Sequence, residues 1–195
     1  MSRTATVTRK TAETGVTVSV DLDGTGTSKI STGVPFFDHL LESFSKHSLI
    51  DVAIAAEGDL PVDDHHTVED VALVLGSALA EALGDRAGIQ RFGDATVPMD
   101  EALATCAIDV SGRPYTVIDV PLRNPMIGTF TTQNYPHAVE SLARTAGLTL
   151  HLSASGANDH HIAEAATKAL ARALRAAIAF DPRRNGEVPS TKGSL

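Results

Sequence analysis

The stretch Asp64-His65-His66-Thr67-Val68-Glu69 recurs later in the chain as Asp159-His160-His161-Ile162-Ala163-Glu164, and each copy begins a run rich in alanine and leucine. On a helix, residues four apart share a face, while adjacent residues are rotated by about 100°. Each copy therefore presents one imidazole and its carboxylate in one direction and the second imidazole in another. Such a pair of helices suits two metal ions, each bound by side chains from both copies.

A single His-His pair at a helix start is more often a surface feature than a set of metal ligands. The chain has only 8 histidines in 195 residues. Two copies of the same Asp-His-His-x-x-Glu phrase therefore favour metal binding over a purely structural role.

The residues around the two copies repeat one order of predicted elements. In the first half, the periodicity predicts an antiparallel meander of three strands, a helix that begins at Pro35 and contains His39, a fourth strand and the first Asp-His-His helix. These elements are expected at residues 3–10, 15–22, 29–33, 35–46, 49–56 and 64–83. The second half repeats this order, with His137 in its first helix, at residues 91–98, 101–110, 113–120, 132–146, 148–154 and 158–180.

The repetition predicts a tandem duplication of an α/β unit of roughly 90 residues. We expect an α+β fold in which the helices pack on one face of each sheet. The two structural repeats span residues 1–86 and 87–195, and together they form one functional domain.

The duplication also suggests which side chains share an ion. A pseudo-twofold axis would give one ion His65, Glu69, His137 and His161, and the other ion His160, Glu164, His39 and His66. His47 and His151 have no matching partner in the other half and are interpreted as structural. Imidazole and carboxylate ligands leave the metal open among zinc, iron, nickel, copper and manganese.

Composition excludes several classes of protein. The formal net charge of −8 argues against nucleic acid as the main partner, although local basic clusters can bind a small anion. The single Cys106 lies in an apolar run, so we expect no internal disulfide and a buried thiol. We find neither a signal peptide nor a membrane-spanning segment and expect a cytoplasmic protein.

Four phrases resemble those of the imidazoleglycerol-phosphate dehydratases, a family of lyases in histidine biosynthesis. They are Thr32-Gly33-Val34-Pro35-Phe36-Phe37-Asp38-His39, Asp63-Asp64-His65-His66-Thr67-Val68-Glu69-Asp70, Asn158-Asp159-His160-His161 and Pro189-Ser190-Thr191-Lys192-Gly193. The resemblance implies two Mn²⁺ ions per active site, no redox cofactor and an assembly of 24 identical subunits. It also implies that each half resembles the second domain of ribosomal protein S5.

The resemblance further implies roles for individual residues. The substrate phosphate would be bound by Arg91, Arg113, Lys168, Ser190 and Lys192. Glu13, in Arg9-Lys10-Thr11-Ala12-Glu13-Thr14, matches a family phrase and is the leading candidate for the base, with Asp100 as the second candidate. In the implied reaction, the substrate imidazole between two cations helps to expel the C3 hydroxide, and a carboxylate takes the C2 proton to give imidazole acetol phosphate.

Two other functions use the same ligands. A di-metal hydrolase would activate a bridging hydroxide, and a non-catalytic metal-binding cage would need ligands alone. Glu13 and the Ser190/Lys192 tail argue against the cage, because it needs neither a base nor a phosphate contact.

Overall fold

The computed structural model describes residues 3–193 and 195. In the first half, the elements are β1 (Thr4–Lys10), β2 (Thr14–Asp21), β3 (Ser28–Ser31), α1 (Pro35–Ser48), β4 (Asp51–Gly58) and α2 (His65–Leu83). In the second half, they are β5 (Phe92–Met99), β6 (Ala102–Asp109), β7 (Tyr115–Asp119), β8 (Met126–Ile127), β9 (Phe130–Thr131), α3 (Asn134–Ala146), β10 (Thr149–Ser155) and α4 (Asp159–Ile178).

Each half contains one four-stranded sheet, and the two sheets have matching strand orders. The first sheet has the order β1-β2-β4-β3 and the second the order β5-β6-β10-β7. The short β8–β9 hairpin precedes α3 and has no counterpart among the described residues of the first half. The α+β fold, with one sheet and two long helices in each half, is confirmed. The division of the chain after residue 86 stays a prediction.

The predicted antiparallel meander is wrong in its third strand. β1 and β2 pair antiparallel, but β3 does not pair with β2. Instead β3 runs parallel to β4, with Ile30 opposite Ile54. Parallel neighbours need a crossover connection, and α1, which begins at Pro35 directly after β3, is that crossover. β4 then enters the sheet between β2 and β3.

The helices cover one face of each sheet, as predicted. Along β2 every second residue is buried, including Val16, Val18 and Val20, which is the pattern of a strand with one face on the core. α2 packs on the first sheet and α4 on the second, while α2 also contacts α3 and α1 contacts α4. The helices of the two halves therefore meet each other as well as their own sheets. None of the helices in the described part of the chain is both long and apolar enough to cross a bilayer.

A glycine sets how closely α2 approaches α3. A Cβ at Gly76 would lie 2.1 Å from Oγ1 of Thr145 and 2.4 Å from the carbonyl oxygen of Leu142, both on α3. Any larger residue would push the two helices apart. This close contact matters for the site, because α2 contains His65 and Glu69 while α3 contains His137.

Candidate metal centre

The first candidate cluster consists of His65, Glu69 and His137. One ligand atom from each side chain lies within 4.8 Å of the other two. α2 contributes His65 and Glu69, which lie one helical turn apart, and α3 contributes His137. The rings of His65 and His137 are stacked with their centroids 4.9 Å apart, and Nε2 of His137 lies 3.5 Å from Oε1 of Glu69. The cluster therefore combines residues from both halves of the chain.

A buried amide orients His65. Oδ1 of Asn134, at the start of α3, lies 3.1 Å from Nδ1 of His65, and Nδ2 of Asn134 donates to Asp64. Asn134 is 2% exposed. Because the amide oxygen can only accept, Nδ1–H of His65 donates this hydrogen bond. In the neutral imidazole the lone pair is then on Nε2, the atom that would bind a metal.

The second candidate cluster consists of His39, His160 and Glu164. Nε2 of His39 lies 3.0 Å from Oε1 of Glu164, and Nε2 of His160 lies 2.8 Å from the same oxygen. α1 contributes His39 and α4 contributes the other two, so this cluster also joins the two halves. The ring of Phe36 packs beside both imidazoles, with centroid distances of 6.1 Å and 5.0 Å.

Lys168 makes the second cluster electrostatically different from the first. Its Nζ lies 2.6 Å from Oε2 of Glu164. The matching position one turn after Glu69 is Leu73, and Glu69 has a more distant cation instead, with Nη2 of Arg144 3.8 Å from Oε1. Burial alone would raise the pKa of Glu164, but hydrogen bonds from Lys168, His39 and His160 outweigh it and lower the pKa to about 2. Glu164 is therefore an ionised acceptor at the centre of the cluster throughout the neutral range.

His66 and His161, the remaining predicted ligands, lie outside these clusters within the chain. Nδ1 of His66 lies 3.0 Å from Oδ2 of Asp59, and Nδ1 of His161 lies 2.8 Å from Oε2 of Glu101. These carboxylates raise the pKa of both imidazoles. When a carboxylate accepts a hydrogen bond from Nδ1–H of a neutral imidazole, Nε2 carries the lone pair that can bind a metal, as in many metal-binding histidines.

The two candidate bases occupy matching hairpins beside these outward histidines. Glu13 lies in the β1–β2 turn, with Oε2 3.9 Å from Nδ1 of His66. Asp100 lies in the β5–β6 turn, with Oδ2 3.7 Å from Nε2 of His161. Both carboxylates are exposed. The pseudo-symmetry thus places a hairpin carboxylate beside each outward imidazole.

Most of the candidate phosphate ligands lie at the other end of the second sheet. The guanidinium of Arg91 donates to both carboxylate oxygens of Asp109, at 2.7 Å and 3.1 Å, and to the carbonyl oxygen of Pro189 at 2.8 Å. This contact holds the C-terminal segment with Ser190 and Lys192 beside β5. Arg113, just before β7, is exposed, and within the described residues its guanidinium makes no hydrogen bond or ion pair.

Lys168 is separated from this group. Its Nζ lies 3.3 Å from Sδ of Met99, which ends β5, whereas Arg91 precedes the first residue of the same strand. β5 has eight residues, so its ends lie roughly 23 Å apart at about 3.3 Å per residue. Within one chain, the C-terminal phosphate candidates are therefore far from the second cluster.

The donor sets fit metal ions. Nε2 of His137 is a buried atom without a hydrogen-bond partner, although it faces Glu69 and His65, and an orphaned buried nitrogen is costly unless a ligand fills its lone pair. Ligands about 2.2 Å from an ion lie at most about 4.4 Å from one another, so small side-chain shifts would close either cluster around an ion. Imidazole and carboxylate donors with no thiolate suit manganese, ferrous iron or zinc.

The sequence interpretation missed three residues that orient these imidazoles. They are Asn134, Asp59 and Glu101. Asn134 lies far from the first Asp-His-His phrase in sequence. Asp59 lies only seven residues before His66, but it precedes the helix, so the helical spacing of the phrase does not point to it. Glu101 was detectable in principle, because it neighbours the candidate Asp100 in the turn that corresponds to the Glu13 hairpin.

The paired carboxylates give a testable pH dependence. In the metal-free protein we expect His66 and His161 to keep their protons to higher pH than ordinary histidines. Asp59→Asn should remove the largest cause of the raised pKa of His66 and leave the pKa of His161 unchanged. The stabilisation from a raised folded-state pKa is fully present below pH about 6.5 and is lost as the pH rises through the folded-state pKa. NMR titration of histidine nitrogens measures both pKa values. An unchanged His66 titration in Asp59→Asn would contradict the assigned cause.

Comparisons with known proteins agree with the geometry. The family model described as imidazoleglycerol-phosphate dehydratase matches residues 32–174. The chain is 57% identical over 194 residues to the imidazoleglycerol-phosphate dehydratase of Dinoroseobacter shibae, covering 99% of this chain and 100% of the relative. It is 55% identical over 196 residues to that of Sinorhizobium fredii, covering 100% and 97%.

Two solved structures share the fold. The chain superimposes on imidazoleglycerol-phosphate dehydratase from Staphylococcus aureus with a TM-score of 0.83 at 35% identity, covering 91% of this chain and 99% of that chain. It superimposes equally well, with a TM-score of 0.83 at 37% identity, on IGPD from Pyrococcus furiosus in complex with (S)-C348. That match covers 97% of this chain and 100% of the other.

Proposed function

The chain belongs to the imidazoleglycerol-phosphate dehydratase family and is a hydro-lyase of histidine biosynthesis, and from this premise we propose that it works with two manganese ions in active sites shared between subunits. Its reaction removes water from imidazole glycerol phosphate to give imidazole acetol phosphate. The observation that carries the proposal is the pair of His, His, Glu clusters, each of which joins one helix from each half of the chain.

The two outward imidazoles supply what the clusters lack. Each cluster has three candidate protein ligands, while His66 and His161 use Nδ1 to contact their carboxylate partners. Nε2 is therefore the ring atom that each could offer to a metal, and in His161 it faces the exposed Asp100 at 3.7 Å. We infer that His161 of one subunit completes the His65 cluster of another and that His66 completes the His39 cluster. Bound there, the two ions would supply positive charge beside the substrate imidazole as the C3 hydroxide departs.

The substrate phosphate also argues for a shared site. Imidazole glycerol phosphate is short, and its imidazole and phosphate lie only a few bonds apart. Within one chain, the ends of β5 separate Lys168 from Arg91 and the Ser190 tail by roughly 23 Å. A single subunit therefore cannot hold the imidazole at its own second cluster and the phosphate at its own tail. We propose that Arg91, Arg113, Ser190 and Lys192 bind the phosphate of a substrate whose imidazole lies at another subunit's ions.

The C2 proton of the substrate moves to a carboxylate of the chain, which acts as the general base. Glu13 is the proposed base, because it is exposed and lies beside His66, which we place at a metal ion. Asp100 is the alternative, because it has the matching position beside His161. Lys168 pairs with Glu164 and lies close enough to the second cluster to contact the substrate there.

Shared ions make assembly depend on the metal. A site that draws ligands from two chains contributes its binding energy to their association. We propose an assembly of 24 subunits in the cytoplasm and expect chelation to split it into smaller oligomers. Light scattering with and without a chelator measures the particle mass. An unchanged mass after complete metal removal would mean that the ions do not hold subunits together.

Reconstitution tests the metal and the reaction together. Chelated protein, reloaded with manganese, zinc or ferrous iron, is incubated with imidazole glycerol phosphate while the ketone product is followed. We expect manganese to restore turnover with two ions bound per chain and no release of inorganic phosphate. Full turnover without added metal, or one ion per chain, would contradict the two-metal proposal. Phosphate release would point instead to the hydrolase that uses the same ligands.

A further inference from the structure

The turn that contains Glu13 is closed by its own threonines. Oγ1 of Thr11 accepts hydrogen bonds from the backbone nitrogens of Glu13 and Thr14, at 3.1 Å and 3.0 Å. The backbone nitrogen of Thr11 donates to the carbonyl oxygen of Thr14 at 2.8 Å. This bonding fixes the backbone on both sides of Glu13, although its carboxylate is exposed.

A buried carboxylate on α2 holds the same turn. Asp70 is 6% exposed. Its Oδ2 accepts a hydrogen bond from the buried hydroxyl of Thr14, and its Oδ1 accepts one from Nε of Arg9 at 3.1 Å. Asp70 lies four residues after His66, so the two side chains share one face of the helix. The face that presents His66 thus also anchors the hairpin with Glu13.

The second half of the chain anchors its hairpin in another way. The residue that matches Asp70 is Ala165, which has no polar side chain. Glu101 instead reaches from the hairpin to the start of α4, where it accepts hydrogen bonds from the backbone nitrogens of Ala157 and Asn158. The tie from helix to hairpin through Asp70 therefore exists only at the hairpin with Glu13.

We propose that Asp70 and Thr14 are positioning residues for the dehydration: they hold the β1–β2 turn against α2, so that the Glu13 carboxylate stays at a fixed distance from His66. The inference rests on the proposed role of Glu13 as the base. Displacing a base by about 1 Å can reduce the rate of proton transfer by about 100-fold. Without the hydrogen bond to Asp70, the β1–β2 turn could move away from α2, and Glu13 would be present but displaced.

Removing one hydroxyl tests the tie. Thr14→Val keeps the shape of the side chain but cannot donate to Asp70. We expect kcat to fall by about 10- to 100-fold, with KM and metal content unchanged. Thr14→Ser retains the hydroxyl and should keep near wild-type turnover, and Asp70→Asn should resemble Thr14→Val if the valine variant folds poorly. Thr17→Val is the matched control. It removes a hydroxyl from the same hairpin, but that hydroxyl pairs with the hydroxyl of Thr8 and not with Asp70.

Combining each variant with Glu13→Gln separates positioning from general damage. If Thr14 and Asp70 act through Glu13, adding Thr14→Val or Asp70→Asn to Glu13→Gln should lower kcat no further. If the losses in kcat multiply in the double variants, or if both Thr14→Val and Asp70→Asn keep wild-type kcat, the positioning inference is wrong. Glu13 would still be the base in either case. Wild-type turnover by Glu13→Gln would instead remove the base proposal and the positioning inference with it.

Discussion

His65→Ala and His160→Ala should each lose a metal ion and all measurable dehydratase activity. Each histidine is one of three ligands that a single chain gives to its cluster. Removing it leaves two ligands from that chain beside the one proposed from a neighbouring subunit, so the ion should bind far more weakly. Elemental analysis of the purified variants measures the loss. Each single variant should retain the ion of the other cluster, because His65 and His160 belong to different clusters.

The fold of the isolated subunit should survive these substitutions. Both imidazoles are only half-buried, and His65 loses one side-chain hydrogen bond, to Asn134, worth about 1 kcal/mol. Circular dichroism should therefore be unchanged. His151→Ala is the matched control, because His151 is exposed on β10 and belongs to neither cluster. Full metal occupancy in both cluster variants would rule out the ligand assignment.

The duplicated fold was predictable because the repeat carries several independent signals. The alternation along β2, Pro35 at the start of α1 and the long alanine-rich run after each Asp-His-His phrase all recur or have counterparts in the second half. Most predicted elements match the observed ones within about two residues, the usual uncertainty of helix and strand ends. Local periodicity is reliable where one face of an element is buried and the other is not.

The pairing of β3 was not predictable from the same signals. β3 has four residues, none of them buried, so its alternation carries little information about its neighbour. Its parallel partner, β4, is reached only after α1, and a short strand followed by a helix is equally consistent with the end of a meander. The pairing of β3 with β4 is therefore set by the α1 crossover connection and not by a local sequence pattern.

The candidate site likewise contains some residues that the sequence predicted and others that it did not. The repeat pointed to the histidines and glutamates by their spacing on one helix, and the structure brings three of each proposed four together. The residues that orient them, Asn134, Asp59 and Glu101, depend on contacts between elements and leave no periodic trace. The separation between Lys168 and Arg91 is likewise a consequence of strand length, which a motif does not express.

Substitutions of Glu13 and Lys192 should separate substrate binding from chemistry. The proposed base acts only as the C2 proton moves, so Glu13→Gln should lower kcat by about 10²- to 10⁴-fold while the substrate still binds. Lys192 is exposed near the C-terminus and is proposed to hold the phosphate equally in the ground and transition states. Lys192→Ala should therefore raise KM with little change in kcat. Steady-state kinetics on the manganese-loaded protein measures both effects.

The two variants control for each other. Glutamine is nearly isosteric with glutamate, and Glu13 is exposed, so neither the fold nor the metal content should change in Glu13→Gln. Asp100→Asn tests the matching carboxylate of the second hairpin. If Glu13→Gln turns over at the wild-type rate while Asp100→Asn does not, the base lies in the hairpin beside His161. Of the two hairpin carboxylates that the pseudo-symmetry places beside the outward imidazoles, the one in the second half would then be the general base.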